Sequence, residues 1–166
     1  PGNNGYGLSG ITLVGEFVDF GTLIDRAYPD YDFPSEKKVN NANKGFMPEY
    51  HKFVEYKQAQ GMKMEKFDVG ALNQIKMLNN PKKYKKTFEI RNLAANGEVW
   101  TGVGTEVVKQ YKGDPTLFDE NVNSCAIRIT YGDFRYYNGG DLSGGNWPSY
   151  KSQERDMETP VAKVCG

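Results

Sequence analysis

The residue best placed for chemistry is Asp141, which follows two glycines at the end of an alternating apolar strand. A carboxylate at a strand end is a ligand of the kind that hard and borderline cations need, and glycine lets the backbone approach closely. The alternative role is structural, with the carboxylate accepting hydrogen bonds from the amides of Ser143 or Gly144 in a turn. The candidate loop contacts of the same site are Asn138, Gly140 and Trp147.

Two other sets of polar residues are weaker candidates for a metal-binding or catalytic site. Asp30 and Asp32 have the spacing that begins a calcium loop, but position 34 is proline and no glycine follows it, which argues against calcium. His51 is the chain's single histidine, so a self-contained site with several histidines is excluded. It lies beside the apolar stripe of a predicted helix, and the sequence indicates no catalytic partner for it. We therefore predict a histidine on the surface of a helix.

The cysteines and a lysine run leave alternatives open. Cys125 and Cys165 lack the paired spacing of a zinc site, and they form either one disulfide or two reduced side chains. The reduced state is the favoured interpretation, because nothing in the sequence fixes the compartment. The lysines within 82–86 flank Tyr84 and are favoured as a solvated turn rather than a phosphate contact, since charges elsewhere balance them.

Composition limits the class of protein. The 166 residues carry 21 basic and 21 acidic side chains, and this zero net charge argues against a broad nucleic-acid interface. No apolar run approaches the roughly 20 residues of a membrane span. The length predicts a single domain over residues 1–166, and 13% aromatic residues favour a folded chain.

The pattern of elements predicts an α+β fold with more strand than helix. The clearest signals are two hairpins, one around Asn96-Gly97 and one around Gly132-Asp133, each between alternating apolar residues. A helix is predicted for 48–60, where Pro48 suits a first turn and Gly61 follows as a stop. Further strands are predicted at 22–24, 64–67 and 74–78, and a short helix within 152–164.

The segment 120–142 resembles part of a known family. Asn123-Ser124 is followed by an apolar strand, Tyr131-Gly132, a second apolar strand and Gly140-Asp141. This order is similar to the middle of metallo-β-lactamase-fold hydrolases, especially the branch similar to the hydrolase domain of DNA-uptake channel proteins. A looser similarity extends over 88–100 and 158–163.

The resemblance implies part of an αββα sandwich of short antiparallel strands and hairpins, with one or two helices in this part. It also implies that Asp141 is a metal ligand, that zinc is the metal of the complete protein, and that Asn123 and Ser124 are structural. The substrate class that it implies is a phosphodiester, ester or lactam-type bond attacked by metal-bound hydroxide.

The family's His-x-His-x-Asp-His motif and its later histidine pair are absent from the 166 residues. We therefore expect this chain to be an internal piece of a larger hydrolase domain and to be inactive alone. Such a piece would expose sheet surface and edges, which predicts a homo-oligomer.

Two alternatives from other classes remain. One is a non-catalytic β-rich module that binds a ligand through exposed aromatic residues, with Trp147 and Tyr150 as the first candidates. The other is a degenerate family member that keeps Gly140-Asp141 but has lost its metal.

Overall fold

A computed structural model of the chain describes residues 4–35, 44–111, 120–144 and 155–166. The predicted α+β fold is confirmed: these residues form helices, a five-stranded antiparallel sheet and a two-stranded parallel sheet. Within the described ranges, no helix is both long enough and apolar enough to cross a bilayer. The chain divides into two compact units, Pro1–Lys66 and Phe67–Gly166.

The first unit is built on a strand–helix–strand arrangement. Its elements are α1 (Ile11–Val14), β1 (Thr22–Asp25), α2 (Met47–Ala59) and β2 (Lys63–Lys66). β1 and β2 pair in parallel, with Thr22 opposite Lys63, and α2 lies between them in the chain. Parallel neighbours need such a crossover, because a tight turn cannot join them.

Helix α2 supplies much of the first unit's core and confirms the helix predicted for 48–60. Phe53 and Val54 are buried on it, and the Phe53 ring meets Tyr6 edge to face with centroids 5.3 Å apart. The helix ends before Gly61, whose φ of 101° is a conformation that glycine adopts without steric cost.

The second unit contains the five-stranded sheet. Its elements are α3 (Pro81–Tyr84), β3 (Phe88–Ala95), β4 (Glu98–Trp100), β5 (Val107–Lys109), a 3-10 turn (Glu120–Asn123), β6 (Ala126–Tyr131), β7 (Phe134–Asn138) and α4 (Glu158–Cys165). The strand order is β5-β4-β3-β6-β7, and every neighbouring pair is antiparallel. β3 is central, and its Leu93 is completely buried.

Both predicted hairpins are confirmed. Asn96 and Gly97 have φ values of 51° and 73°, the pair of positive angles that a type I′ turn needs. Gly132, with φ of 58°, begins the two-residue turn between β6 and β7. The register of that hairpin sets Tyr131 opposite Phe134 and Ile127 opposite Asn138.

Two details of the predicted strands are wrong. Residues 74–78 form no strand, because the side chain of Gln74 holds this segment instead of a ladder of backbone bonds. Its Oε1 accepts from the Asp68 amide at 3.0 Å and from the Asn92 side chain at 2.8 Å. β5 lies in a stretch that the sequence gives no reason to assign as strand, and its three residues are extended by pairing with β4.

Candidate functional site

The β6–β7 hairpin places Asp141 just beyond the end of a sheet strand, as the sequence predicts. β7 ends at Asn138, whose Oδ1 accepts a hydrogen bond from the Gly140 amide at 3.1 Å. Gly140 has φ of 56°, and the Leu142 amide donates to the Gly139 carbonyl at 3.1 Å. Leu142 is buried, so the backbone is fixed on both sides of Asp141.

Asp141 exposes its carboxylate at the surface. Its side chain is exposed, and among the described residues it forms no hydrogen bond or ion pair. In particular, neither the Ser143 nor the Gly144 amide donates to it within that part of the chain. The side chain that caps this turn is Asn138, which leaves the Asp141 carboxylate available for a ligand.

The described residues do not supply a complete metal centre. No group of three or more His, Cys, Asp or Glu side chains comes together among them. A zinc site needs three or four protein ligands, and Asp141 is one. The described residues therefore fit one ligand position and not a whole zinc site.

The start of the hairpin lies against the Asp141 turn. A Cβ at Gly140 would lie 3.6 Å from the Cβ of Ser124. The neighbouring Asn123 is completely buried, and neither polar atom of its side chain has a hydrogen-bond partner among the residues that the structure describes. A buried amide without partners costs free energy, so Asn123 is a polar group beside the site that the sequence indicated only as structural.

A cavity of about 560 Å³ lies between β7 and α4. It has the size of a small-molecule site. Tyr137 joins it to the Asp141 turn, because its ring lines the cavity while its hydroxyl packs against Gly139. Burial raises the pKa of the Tyr137 hydroxyl, and the carboxylate of Glu158 and the thiol of Cys165 raise it further. The lining residues are Arg135, Tyr136, Tyr137, Glu158, Val161, Ala162, Cys165 and Gly166.

Helix α4 is held beside the sheet by Arg128 of β6. The guanidinium donates to the Val164 carbonyl at 3.0 Å, near the carboxyl end of the helix, and pairs with Glu89 at 3.3 Å. A cation at a helix carboxyl end is stabilised by the helix dipole. The sequence did not reveal this cavity, because β7 and α4 are about twenty residues apart and no sequence pattern indicates that they pack together.

The other candidates named from the sequence, Asp30, Asp32 and His51, lie in the first unit, as does Asp25. The Asp25 carboxylate accepts from the Tyr31 hydroxyl at 2.9 Å, from the Tyr50 hydroxyl and from the Ala27 amide at 3.0 Å. Burial, followed by the charge of Asp25, raises the pKa of both tyrosines above its ordinary value. His51 is exposed on α2, as predicted, with its ring centroid 5.2 Å from that of Tyr31.

Trp147 and Tyr150 lie outside the described residues. Cys125 and Cys165 are both half-buried, and the described part of the chain contains no disulfide between them.

Fold and site together define an α+β protein with an exposed carboxylate at the end of a sheet hairpin. A scan of protein-family models and searches of curated proteins and of solved structures find no match to this chain.

Proposed function

We propose that this chain is part of a metal-dependent hydrolase in which Asp141 is one metal ligand. The observation that carries the proposal is that nothing among the described residues bonds to the Asp141 carboxylate, while Asn138 supplies the side-chain cap of its turn. A turn that needed an aspartate only for its structure would use that carboxylate in the turn. The sequence resemblance of 120–142 to metallo-β-lactamase-fold hydrolases supports the same role.

The remaining ligands come, in this proposal, from residues outside the described part of the chain. The complete protein would hold zinc, which supplies a bound hydroxide as nucleophile for a phosphodiester, ester or lactam-type bond. Within the chain, the role of Asn138 is to fix the turn, and the role of Asp141 is to present its carboxylate at the end of β7. The chain alone is expected to be inactive, because one exposed carboxylate binds a divalent ion weakly.

Asp141→Asn in the protein encoded by the intact gene tests the proposal, with Asp133→Asn as the matched control. Asp133 is also exposed and belongs to the same hairpin, but it lies in the β6–β7 turn. We expect D141N to lose bound zinc, measured by elemental analysis, and to lose metal-dependent hydrolysis of bis(4-nitrophenyl) phosphate. D133N is expected to keep both. Unchanged zinc content and turnover in D141N would refute the assignment.

A second candidate function is supported by exposed aromatic residues on the same hairpin. Tyr131, Phe134 and Tyr136 are all exposed there, as a module that binds a ligand by aromatic stacking would require. The experiment above separates the two candidates, because such a module carries no zinc and is indifferent to D141N. An intact protein without zinc, together with retention of an immobilised polysaccharide by wild type and D141N alike, would favour the module.

A further inference from the structure

A cluster of lysines gives one part of the second unit a strong local charge. Between Lys76 and Phe88 the chain has five lysines and no acidic residue, although its formal net charge is zero. The five are Lys76, Lys82, Lys83, Lys85 and Lys86, called the lysine patch here. All of them are exposed, and within the described residues none forms an ion pair.

The geometry of the segment keeps the lysine patch on the surface. Asn80, with φ of 53°, turns the chain into the single helical turn α3, and Pro81 begins that turn. Lys83 lies over the Tyr84 ring, with Nζ 5.2 Å from the centroid. The one carboxylate that lines the adjoining cleft, Glu89, is paired with Arg128 and so does not neutralise the patch.

Apolar side chains lie among these lysines. Leu78 is 89% exposed, and Phe134, in the nearby β6–β7 hairpin, is 64% exposed. A cleft of about 550 Å³ beside them is lined by Leu72, Ile75, Met77, Leu78, Tyr84 and Phe88, with Lys76 and Lys85 also in its lining. Leu78 is exposed to water within a cationic surface. Transfer of this side chain into the acyl region of a bilayer with anionic headgroups would therefore be favourable.

We propose that the lysine patch and Leu78 form a docking surface for an anionic lipid bilayer. The lysines contact the phosphate headgroups, and Leu78 enters the boundary between headgroups and acyl chains. This goes beyond the hydrolase proposal and does not depend on it.

The exposure of Leu78 favours a bilayer over single-stranded nucleic acid. Bases need free aromatic faces on which to stack. Here Tyr84 packs against Tyr131, with ring centroids 6.1 Å apart, and Lys83 covers part of the Tyr84 ring. Phe134 is exposed as well, but the most exposed large apolar side chain of the described residues is aliphatic Leu78, which cannot stack on a base.

Co-sedimentation of the 166-residue chain with vesicles tests the proposal. We expect binding to phosphatidylcholine vesicles that contain phosphatidylglycerol, little binding to phosphatidylcholine alone, and release by salt. Each lysine near an anionic surface contributes roughly five-fold to the partition coefficient. The quadruple variant K82Q/K83Q/K85Q/K86Q should therefore lose binding by at least about a hundred-fold.

The matched control changes four exposed lysines elsewhere and gives the same net charge. It is K44Q/K52Q/K63Q/K163Q, and we expect it to bind nearly as the wild type does. Leu78→Ser should weaken binding by about ten-fold while keeping its salt dependence. Phe17→Ser is its control, since Phe17 is 83% exposed but has no lysine patch beside it in the sequence.

Three results would overturn the proposal. The first is equal binding to neutral and anionic vesicles, or none to either. The second is an equal loss of binding in the two quadruple variants, which would show a general charge effect. The third is tighter binding to a single-stranded oligonucleotide than to anionic vesicles, lost in the same quadruple variant. Because all the substituted side chains are exposed, far-UV circular dichroism is expected to be unchanged throughout.

Discussion

Replacing Gly139 by alanine tests whether Tyr137 packs against the turn that carries Asp141. A Cβ at position 139 would collide with the Tyr137 hydroxyl and lie 2.6 Å from its Cζ. Gly139 is not among the residues with positive φ, so alanine meets no backbone strain there and the collision is the main penalty. Tyr137 must then move away from the turn, because the hydroxyl end of its side chain is easier to displace than the backbone.

The burial of Tyr137 limits the cost of this movement. Its side chain is 40% exposed, so more than half of it is buried. An aromatic side chain buries roughly 200 Å² when enclosed, and about 25 cal/mol per Å² makes the loss of this burial worth at most about 3 kcal/mol. Overpacking by a methyl group costs about 1–3 kcal/mol. Since the ring moves only partly outwards, we expect G139A to lower the free energy of unfolding by about 1–2 kcal/mol.

A double-mutant cycle with Tyr137→Ala measures this contact. In the Y137A background the same glycine substitution should be neutral or stabilising by about 0.4–1 kcal/mol, because it only restricts the unfolded chain. Urea denaturation followed by circular dichroism gives the four free energies. Additive effects, with a coupling below about 0.5 kcal/mol, would refute the contact. As a second measurement, the raised pKa of Tyr137 should fall towards 10.0 in G139A, followed by NMR of labelled tyrosine.

Two further predictions concern the turn and the first unit. Asn138→Ala removes the acceptor of the Gly140 amide. Hydrogen exchange of that amide, measured by NMR, should accelerate by about five- to ten-fold, equivalent to about 1 kcal/mol. An unchanged exchange rate would contradict the hydrogen bond between the Gly140 amide and Asn138. Burial, and then a hydrogen bond to Glu16, raises the pKa of Tyr6 from 10.0 to about 12. The stability from this group is complete below pH 10 and is lost as the pH rises to about 12. The melting temperature should thus fall less between pH 9 and 11 in Tyr6→Phe than in the wild type, and equal falls would count against this role.

The hairpins were predictable from the sequence because their signals are local. Asn96-Gly97 and Gly132-Asp133 fix the turn geometry, and alternating apolar residues fix the register. β5 was missed because its pairing with β4 is what makes its three residues extended. The strand predicted for 74–78 was wrong because the Gln74 side chain bonds to groups that the sequence does not reveal as its neighbours.

Part of the candidate site could also be predicted from the sequence, and part could not. The position of Asp141 after a strand end follows from the β6–β7 alternation, which the sequence shows directly. The sequence does not reveal that the Asp141 carboxylate accepts no hydrogen bond from the described residues of the turn. This depends on which side chain caps Gly140, and both Asn138 and Asp141 have suitable acceptors. The cavity that Tyr137 shares with Glu158 depends on how α4 packs beside β7, which only tertiary contacts determine.

The lysine patch and Asp141 belong to opposite ends of the same sheet. Phe88, which follows the lysines, pairs with Tyr131 at the turn end of the β6–β7 hairpin. Asp141 follows Asn138, which pairs with Ile127 at the other end. The four steps from Ile127 to Tyr131 rise by about 13 Å, at roughly 3.3 Å per step. With β6 upright on a bilayer that holds the lysine end, this distance keeps the Asp141 carboxylate in water, where a soluble substrate can reach it. D141N should consequently bind anionic vesicles as the wild type does, and the two proposals fail or succeed separately.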